Sequence, residues 1–208
     1  MARRSEHTLE QLREMVLCAA ETIVIEEGFS ALTVRKIALQ IGYTVGSIYM
    51  VFANMNDLIM HVKGRALDEL AQQLQNQLSG ASSEQQLQMI ADGYLTFAHS
   101  HYHRWRLIFD ALTDEPVPAW YQQKVDQLLA IVEVACQACL PGQSQEQVHL
   151  AARALWSGVH GVCVLSLNGS LGRAGVKNVQ ATVQLLVENF IKGWCQTAIQ
   201  ADVTPPKM

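Results

Sequence analysis

Residues 33–57, TVRKIALQIGYTVGSIYMVFANMND, decide the fold of this chain. Two pairs of apolar residues in this stretch are spaced four apart, Ile37 with Ile41 and Ile48 with Phe52. Residues four apart lie on the same face of an α-helix, so each pair predicts a short helix with one inward side. The stretch therefore predicts two consecutive short helices.

The boundaries of both helices have sequence signals of their own. Thr33 and Thr44 stand where the helices should begin, and a threonine hydroxyl there can accept a hydrogen bond from an unpaired backbone N–H. Gly42 lies between them and should end the first helix. We therefore predict a helix-turn-helix motif over about residues 32–51.

The outward face of the second helix is predicted to be small and uncharged. With Ile48 and Phe52 inward, about 100° per residue places Tyr43, Gly46 and Met50 outward, with Ser47 and Tyr49 on the flanks. A glycine there would let the helix approach a DNA duplex closely, and Val45 and Ser47 would meet thymine methyl groups or base-edge acceptors. The composition of this face favours an element that enters the major groove.

The pattern T-V-R-x-I-A-x-x-I-G-Y-T-x-G-S-I-Y-x-x-F over residues 33–52 resembles the DNA-binding signature of the tetracycline-repressor (TetR) family of bacterial regulators. The resemblance implies that Thr33, Thr44 and Tyr49 hold phosphates. Met55 departs from the family pattern, which usually has a lysine there, so one phosphate contact is expected to be missing. The residues predicted to bind DNA are Thr33, Arg35, Tyr43, Thr44, Val45, Gly46, Ser47 and Tyr49.

Composition sets limits on the partners of the chain. Of its 208 residues, 50% are hydrophobic and 16% are charged, and this low share of charge indicates an additional buried surface between subunits. The net charge of −4 argues against indiscriminate nucleic-acid binding, which needs a broad basic field. Arg3 and Arg4 lie in a short arm that either reaches phosphates or is simply solvated, and no signal peptide follows them.

The rest of the chain has helical periodicity and no strand-like alternation, so we predict an all-α protein. A helix-turn-helix DNA-binding domain should occupy residues 1–56, as a three-helix head, and a helical effector-binding and dimerisation body should occupy residues 57–208. Outside the helix-turn-helix, helices are predicted over residues 8–28, 54–78, 83–101, 103–112, 118–140, 144–167 and 176–201.

Nineteen uncharged residues between Arg153 and Arg173 approach the length of a membrane span. Several serines and glycines interrupt this segment, so a helix buried on most sides is the better interpretation, and no membrane partner is expected. The family resemblance implies that the two last long helices, 144–167 and 176–201, form a four-helix interface in a homodimer. Residues 155–161, LWSGVHG, also resemble a W-x-G-x-H-G signature of one subgroup of the family.

Neither the cysteines nor the histidines complete a site. Cys136 and Cys139 have the spacing of a redox or metal motif but lie in an apolar helical pattern without a second pair. His99 and His103 would share a helix face, but no further ligand stands at the right interval, so we predict no metal site. No catalytic motif is present, so neither an enzyme nor a cofactor is predicted. Scattered cysteines fit a reducing cytoplasm.

Aromatic residues of the predicted body are candidates for an effector cavity, although core packing explains each of them singly. By the family resemblance, the effector would be a small apolar or aromatic molecule. The residues predicted to bind it are Phe97, Trp105, Phe109, Trp120, Tyr121, Trp156 and His160.

These observations predict a homodimeric, ligand-responsive transcriptional regulator in the cytoplasm, a repressor that binds a near-palindromic operator in double-stranded DNA. Two alternatives stay open at this stage. One is a small-ligand-binding or metal-sensing α-bundle whose DNA-binding head is not its main activity. The other is an all-α enzyme that uses a pocket in the body, although the sequence groups no acid, base or nucleophile.

Overall fold

The computed structural model describes residues 7–110 and 116–201. The predicted basic arm with Arg3 and Arg4 lies outside the described residues. Every described element is helical, which confirms the all-α prediction. The α-helices are α1 Leu9–Glu27, α2 Val34–Ile41, α3 Val45–Ile48, α4 Met55–Gln77, α5 Ser83–Ser100, α6 Tyr102–Asp110, α7 Ala119–Cys139, α8 Gln145–Leu167, α9 Ser170–Arg173 and α10 Val179–Ala201.

The helices belong to two compact units. The first unit contains the described residues up to Asp68 and those between His101 and Lys124, and the second contains Glu69–Ser100 and the described residues from Val125 onward. The sequence placed its boundary after residue 56 as a division of function, and that boundary stays a prediction. Packing groups the chain differently, because residues 101–124 join the first unit.

Helix α1 is the central element of the first unit. Thr8 begins it with a capping box, in which the Thr8 hydroxyl accepts from the Gln11 backbone N–H and the Gln11 side chain accepts from the Thr8 backbone N–H. Gly28 ends it at φ 84°, a backbone angle that favours glycine. Its buried face packs against α2, α3 and α6, so one stripe of α1 forms the core of this unit.

Helix α6 completes that core. Leu107 is only 1% exposed and lies in the same hydrophobic cluster as the buried residues of α1. A hydrogen bond of 3.0 Å joins His103 Nδ1 to the Val24 carbonyl, so this nitrogen carries the proton. The sequence had assigned this region to the body because it follows a long helical segment in the chain.

In the second unit α5, α8 and α10 pack against one another. Helix α8 is long and apolar enough to cross a membrane, judged by length and composition alone. Val159 and Cys163 of α8 are buried, but only 28% of its most apolar 18-residue window is buried, so the described residues of a single chain do not bury this helix on most sides as predicted. The sequence did not predict α9, and α10 begins later than predicted, because Asn178 caps it by accepting from the Ala181 N–H at 3.0 Å.

Candidate nucleic-acid interface

Threonine and glycine fix the path of the chain through α2 as the sequence predicts. Thr33 is the N-cap, and its hydroxyl accepts from the Lys36 N–H at 3.2 Å. Gly42 ends the helix at φ 72° and ψ 26°, in the left-handed region, and the Tyr43 N–H then donates to the Ala38 carbonyl at 3.0 Å. This geometry makes a tight turn into the next helix.

Helix α3 begins at the predicted cap but is shorter than the spacing suggested. The Thr44 hydroxyl accepts from the Ser47 N–H at 3.2 Å, and the α-helix ends at Ile48. Tighter turns follow, with a bond of 3.0 Å from the Val51 N–H to the Ile48 carbonyl. The Phe52 N–H still donates to the same carbonyl at 3.1 Å. The predicted inward pair is therefore preserved, and Ile48 and Phe52 are 0% and 2% exposed.

The recognition face is the exposed surface of α3 and the turn after it, formed by Gly46, Ser47, Tyr49 and Met50. Tyr49 is 44% exposed and Met50 is 67% exposed, although both are large and apolar in part. A Cβ added at Gly46 would meet only the Thr44 hydroxyl, at 3.7 Å, which is an ordinary contact. None of the described residues therefore requires a glycine at this position.

The other predicted DNA-binding residues lie in the same local segment. Thr33, Arg35 and Thr44 are exposed, and Val45 is partly buried against the core of the first unit. The prediction that Tyr43 points outward is wrong, because its ring is partly buried against the core of the first unit and its hydroxyl lies 2.7 Å from His7 Nδ1. The helix-turn-helix therefore brings all the predicted residues together between residues 33 and 49, where their individual roles stay predictions.

Met55, which replaces the lysine usual in the family, is the first residue of α4. Its side chain is partly buried and packs against the hydrophobic core of the first unit. An apolar side chain fits that place, because burying a charged ammonium there would cost desolvation energy. The departure therefore has a structural explanation in this chain.

Charge near the interface is partly neutralised by local pairs. Lys36 of α2 pairs with Glu27, at the end of α1. Arg65 of α4 pairs with Glu14 and lowers the pKa of that carboxyl group through a hydrogen bond. Burial raises the pKa of Glu21, although the nearby Arg65 opposes the shift. These pairs leave fewer free cations in the first unit, and the extent of DNA contact stays a prediction.

No pattern in the sequence indicates that Arg13 belongs to this region. Its guanidinium donates to the Val51 carbonyl at 2.6 Å and lies 2.7 Å from His61 Nε2. It also covers the Phe52 ring, 4.4 Å from the ring centroid. A lone arginine on an apolar helix has no distinctive sequence pattern, so only the folded chain identifies these contacts.

The second unit contains a separate apolar cavity of about 30 Å³. Among its lining residues, Tyr94 and Trp156 are the aromatic ones, and the rest are aliphatic. The Tyr94 hydroxyl lies 2.7 Å from His160 Nδ1, and the Trp156 ring stacks on His160 with centroids 5.3 Å apart. Burial lowers the pKa of His160 below its ordinary value, so the ring is neutral at pH 7.

The predicted effector-binding aromatics fall in both units. In the second unit, Trp156 lines the cavity, His160 contacts Tyr94 and Trp156, and Phe97 is fully buried. Those in the first unit are Trp105, Phe109, Trp120 and Tyr121. A role for any of them in ligand binding stays a prediction. The aliphatic lining residues that sequence reasoning missed are Leu74, Leu87, Ile90, Ala91, Leu128, Leu129, Val132, Leu155 and Val159.

The cysteines and histidines considered as ligands are dispersed. Burial raises the pKa of both Cys136 and Cys163 to about 12. Among the described residues, no group of three or more histidine, cysteine or acidic side chains could hold a metal ion. His103 instead bonds the α1 backbone, and His99 is exposed.

A small helix-turn-helix with an exposed recognition face, joined to a helical unit with its own cavity, is the architecture of a helical DNA-binding regulator. Comparison with known families agrees. Residues 16–62 match the family described as bacterial regulatory proteins, tetR family. Residues 87–190, half of the chain, match the tetracyclin repressor-like C-terminal domain. The chain belongs to the TetR family of transcriptional regulators.

Two curated relatives are similar in sequence. An uncharacterized HTH-type transcriptional regulator of Mycobacterium tuberculosis, Rv0681, is 27% identical over 161 residues, covering 76% of this chain and 71% of the relative. The HTH-type transcriptional repressor BepR of Brucella suis is 36% identical over 64 residues, 31% of each chain. These matches agree with a DNA-binding transcriptional regulator.

Solved structures have the same fold at low identity. A Rhodococcus protein of unknown function superposes with a TM-score of 0.73 at 18% identity, over 92% of this chain and 98% of the other. BioQ, solved with its operator DNA, gives 0.62 at 21% identity. FadR of Bacillus subtilis, solved with stearoyl-CoA, gives 0.64 at 16% identity, and each of these two covers 86% of this chain and 98% of the other.

Proposed function

We propose that this regulator is a homodimeric repressor that binds a near-palindromic operator and is released by a small apolar effector. The observation that carries the proposal is the open space over Gly46, where a side chain would meet only Thr44 at 3.7 Å. A glycine that the fold does not require, on an exposed helix face, fits a surface that another molecule must approach closely.

On this proposal the contacts divide by chemistry. The exposed hydroxyls of Thr33 and Thr44, with Arg35 and Tyr49, bind phosphates and fix the register on the duplex. Val45, Gly46 and Ser47 meet base edges in the major groove, and Tyr43 supports the turn. Two copies of α3 then occupy successive major grooves about 34 Å apart.

The dimer would form through α8 and α10. These helices pack against each other, and large apolar side chains on them remain exposed in the single chain. Leu150 and Leu165 of α8 are 71% and 44% exposed, and Leu185 of α10 is 60% exposed. Apolar surface of this kind is typical of a subunit interface. Helices α8 and α10 of a second copy would cover it.

The effector would enter the cavity of the second unit. Its lining is aliphatic and aromatic, so it favours a molecule with a hydrocarbon part, and the structural relative FadR was solved with stearoyl-CoA. The cavity of about 30 Å³ is far smaller than common ligand pockets, which span about 300–1,000 Å³. An effector must therefore separate the lining helices, and it would shift the protein toward a state with lower operator affinity.

Several further assignments follow from the same proposal. Residues 1–56 would act as the DNA-binding domain and residues 57–208 as the effector-binding and dimerisation domain, in a cytoplasmic regulator without enzymatic activity. The W-x-G-x-H-G pattern would place the chain in the corresponding subgroup of the family. In support, Trp156 and His160 of this pattern stack on each other beside the cavity.

The first test is selection of random duplex DNA on the purified full-length protein at a stated salt concentration. We expect an enriched inverted repeat for the wild type and no enrichment for Gly46→Leu, because leucine would keep the helix from the base edges. Gly172→Leu is the matched control, since a Cβ at Gly172 meets nothing within 4 Å and this glycine lies in the second unit.

The outcomes separate the parts of the proposal. An inverted repeat that both the wild type and Gly172→Leu select supports the dimeric operator. Selection of the same repeat by Gly46→Leu would overturn the assignment of α3 to the major groove. If the wild type enriches no sequence at any salt concentration, the head does not read DNA alone, and the small-ligand-sensing alternative takes its place.

A further inference from the structure

The C-terminal end of the recognition face is held by side chains that do not belong to it. The chain leaves α3 through tight turns, and the Val51 carbonyl points to Arg13 of α1, with 2.6 Å between the oxygen and Nη1. The same guanidinium lies over Phe52 at 4.4 Å. One side chain therefore fixes both the backbone and the first buried ring after the recognition face.

Arg13 is itself held by α4. Its Nη2 atom lies 2.7 Å from His61 Nε2. A guanidinium has only donors, so at this distance Nε2 must carry a lone pair and His61 must be neutral with its proton on Nδ1. The contact is therefore a hydrogen bond that Arg13 donates and that exists in one protonation state of His61.

The His61 ring is fixed from two sides. The Trp120 ring, at the start of α7, lies parallel to it with centroids 4.4 Å apart and planes 9° apart. The Phe52 ring meets it edge-on at 5.8 Å. The Trp120 ring also touches the α4 backbone, because a Cβ at Gly64 would come within 2.9 Å of it. This packing aims Nε2 at Arg13.

We propose that Arg13 and His61 are positioning residues for DNA recognition, which together hold the chain at Val51, directly after α3, against α1 and α4. The inference rests on the proposed role of α3 in the major groove. Neither residue needs to contact a base. A displacement of α3 by about 1 Å would spoil several base contacts at once, so the pair should act on specific affinity more than on general affinity.

The charged and titratable groups around His61 determine how the pair responds to acid. A positive charge on His61 is disfavoured by Arg13 on α1, Arg65 on α4 and Lys124 on α7. The carboxylate of Asp57, 3.4 Å from His61 Nε2, favours that charge. Burial is the largest contribution, and together these effects lower the pKa of His61 below 6.5. Protonation of His61 at lower pH would remove the acceptor of the Arg13 hydrogen bond and place the imidazolium in contact with the guanidinium.

The test uses full-length Arg13→Met, Arg13→Lys and His61→Gln, with Arg106→Met as the control for loss of one positive charge in the first unit. Affinity is measured for the selected duplex and for a random duplex. We expect Arg13→Met to bind the selected duplex about 10- to 100-fold more weakly and the random duplex unchanged. Arg13→Lys should not restore affinity, because one ammonium cannot reproduce the planar fork and the ring contact.

The dependence on pH tests His61. Wild-type affinity for the selected duplex should fall as the pH drops below 6.5, through the lowered pKa of His61. Glutamine offers an acceptor that does not titrate, so His61→Gln should bind like the wild type at pH 8 and lose this fall. Identical pH profiles for the two proteins would overturn the role of His61.

Two results would overturn the role of Arg13. Wild-type affinity in a folded Arg13→Met protein would exclude any role. Equal losses for both duplexes, with a salt dependence reduced by about one unit, would identify a direct phosphate contact instead. Amide hydrogen exchange at residues 49–52 gives a readout without DNA, and it should accelerate in Arg13→Met and Arg13→Lys but not in Arg106→Met. This signal distinguishes failure of the pair from failure of the proposed function.

Discussion

The recognition face of the first unit and the cavity of the second unit are prepared for their partners in opposite ways. The face is open, because Gly46 has room for a side chain that it lacks and Met50 is 67% exposed. The cavity has a volume of only about 30 Å³ and is lined by apolar side chains. On the proposed function, binding to the face needs little change of shape, whereas an effector larger than the cavity needs the lining helices to move.

On the proposed function, this difference assigns DNA recognition to the face and regulation by the effector to the cavity. A rigid face can discriminate between DNA sequences, because its contacts are set before binding. On the proposed function, so small a cavity can act as a switch, because a ligand that must enlarge it has different affinities for the two states. Each prediction below tests whether one of the two regions behaves as this comparison requires.

The largest effect on the free energy of unfolding is expected for Ile48, which is buried beneath the recognition face. Ile48 is 0% exposed, so Ile48→Ala should lower the free energy of unfolding by about 2–5 kcal/mol, measured by urea denaturation. Met50→Ala, on the exposed side of the same turn, should change it by less than about 0.5 kcal/mol. Similar losses for both would show that the outward face is buried in solution.

Binding of molecules with a hydrocarbon chain in the cavity is expected to stabilise the protein. Linear alcohols from hexanol to decanol at about 100 times Kd should stabilise the protein by about 2.7 kcal/mol, seen as a raised melting temperature. Glycerol at the same concentrations should not, since the lining offers it no polar surface. Ala91→Leu, which fills the cavity, should abolish the gain, and Ala138→Leu, at an exposed site on α7, should keep it. If the alcohols stabilise Ala91→Leu as much as the wild type, they bind outside this cavity.

At the recognition face, Gly46 is expected to lower the free energy of unfolding and to allow close approach of DNA. Alanine is the better helix former, so Gly46→Ala should raise the free energy of unfolding by up to about 1 kcal/mol and still weaken binding to the selected duplex. Gly42→Ala should lower the free energy of unfolding by about 1 kcal/mol, because φ at Gly42 is 72°. If Gly46→Ala binds the selected duplex as tightly as the wild type, DNA does not approach the backbone closely at this position.

The smallest effect is a shallow pH dependence of stability in the second unit. Burial lowers the pKa of His160 below 6.5, so the unfolded chain binds its proton first as the pH falls. Stability should therefore be fully present above pH 6.5 and decline below it. His160→Gln should reduce this slope and His99→Gln, at an exposed site on α5, should not. Equal slopes in all three proteins would show that His160 is as solvated as in the unfolded chain.

The sequence predicted the face well because its signals are local. Thr33, Gly42 and Thr44 act on neighbouring backbone groups, so their effects could be predicted without knowing the fold. The cavity could not be predicted in this way. Its aliphatic lining has the same spacing as any helix core, and which leucines leave a gap depends on how several helices pack.

Long-range contacts could not be predicted from the sequence either. Arg13 meets Val51 across 38 residues, and His103 meets Val24 across 79. A single sequence contains no signal for such pairs, because each residue has an ordinary local explanation. The assignment of α6 to the body followed from chain order, and only packing shows that Leu107 completes the core of the first unit.

Because of α6, the order of synthesis matters for the head. The predicted DNA-binding residues all leave the ribosome before residue 50, but Leu107, His103 and Trp120 follow much later. Until then the nascent head has an uncovered apolar surface that chaperones can bind. The segment that reads DNA is thus made early in translation and receives its last core side chains only when about three fifths of the 208 residues exist.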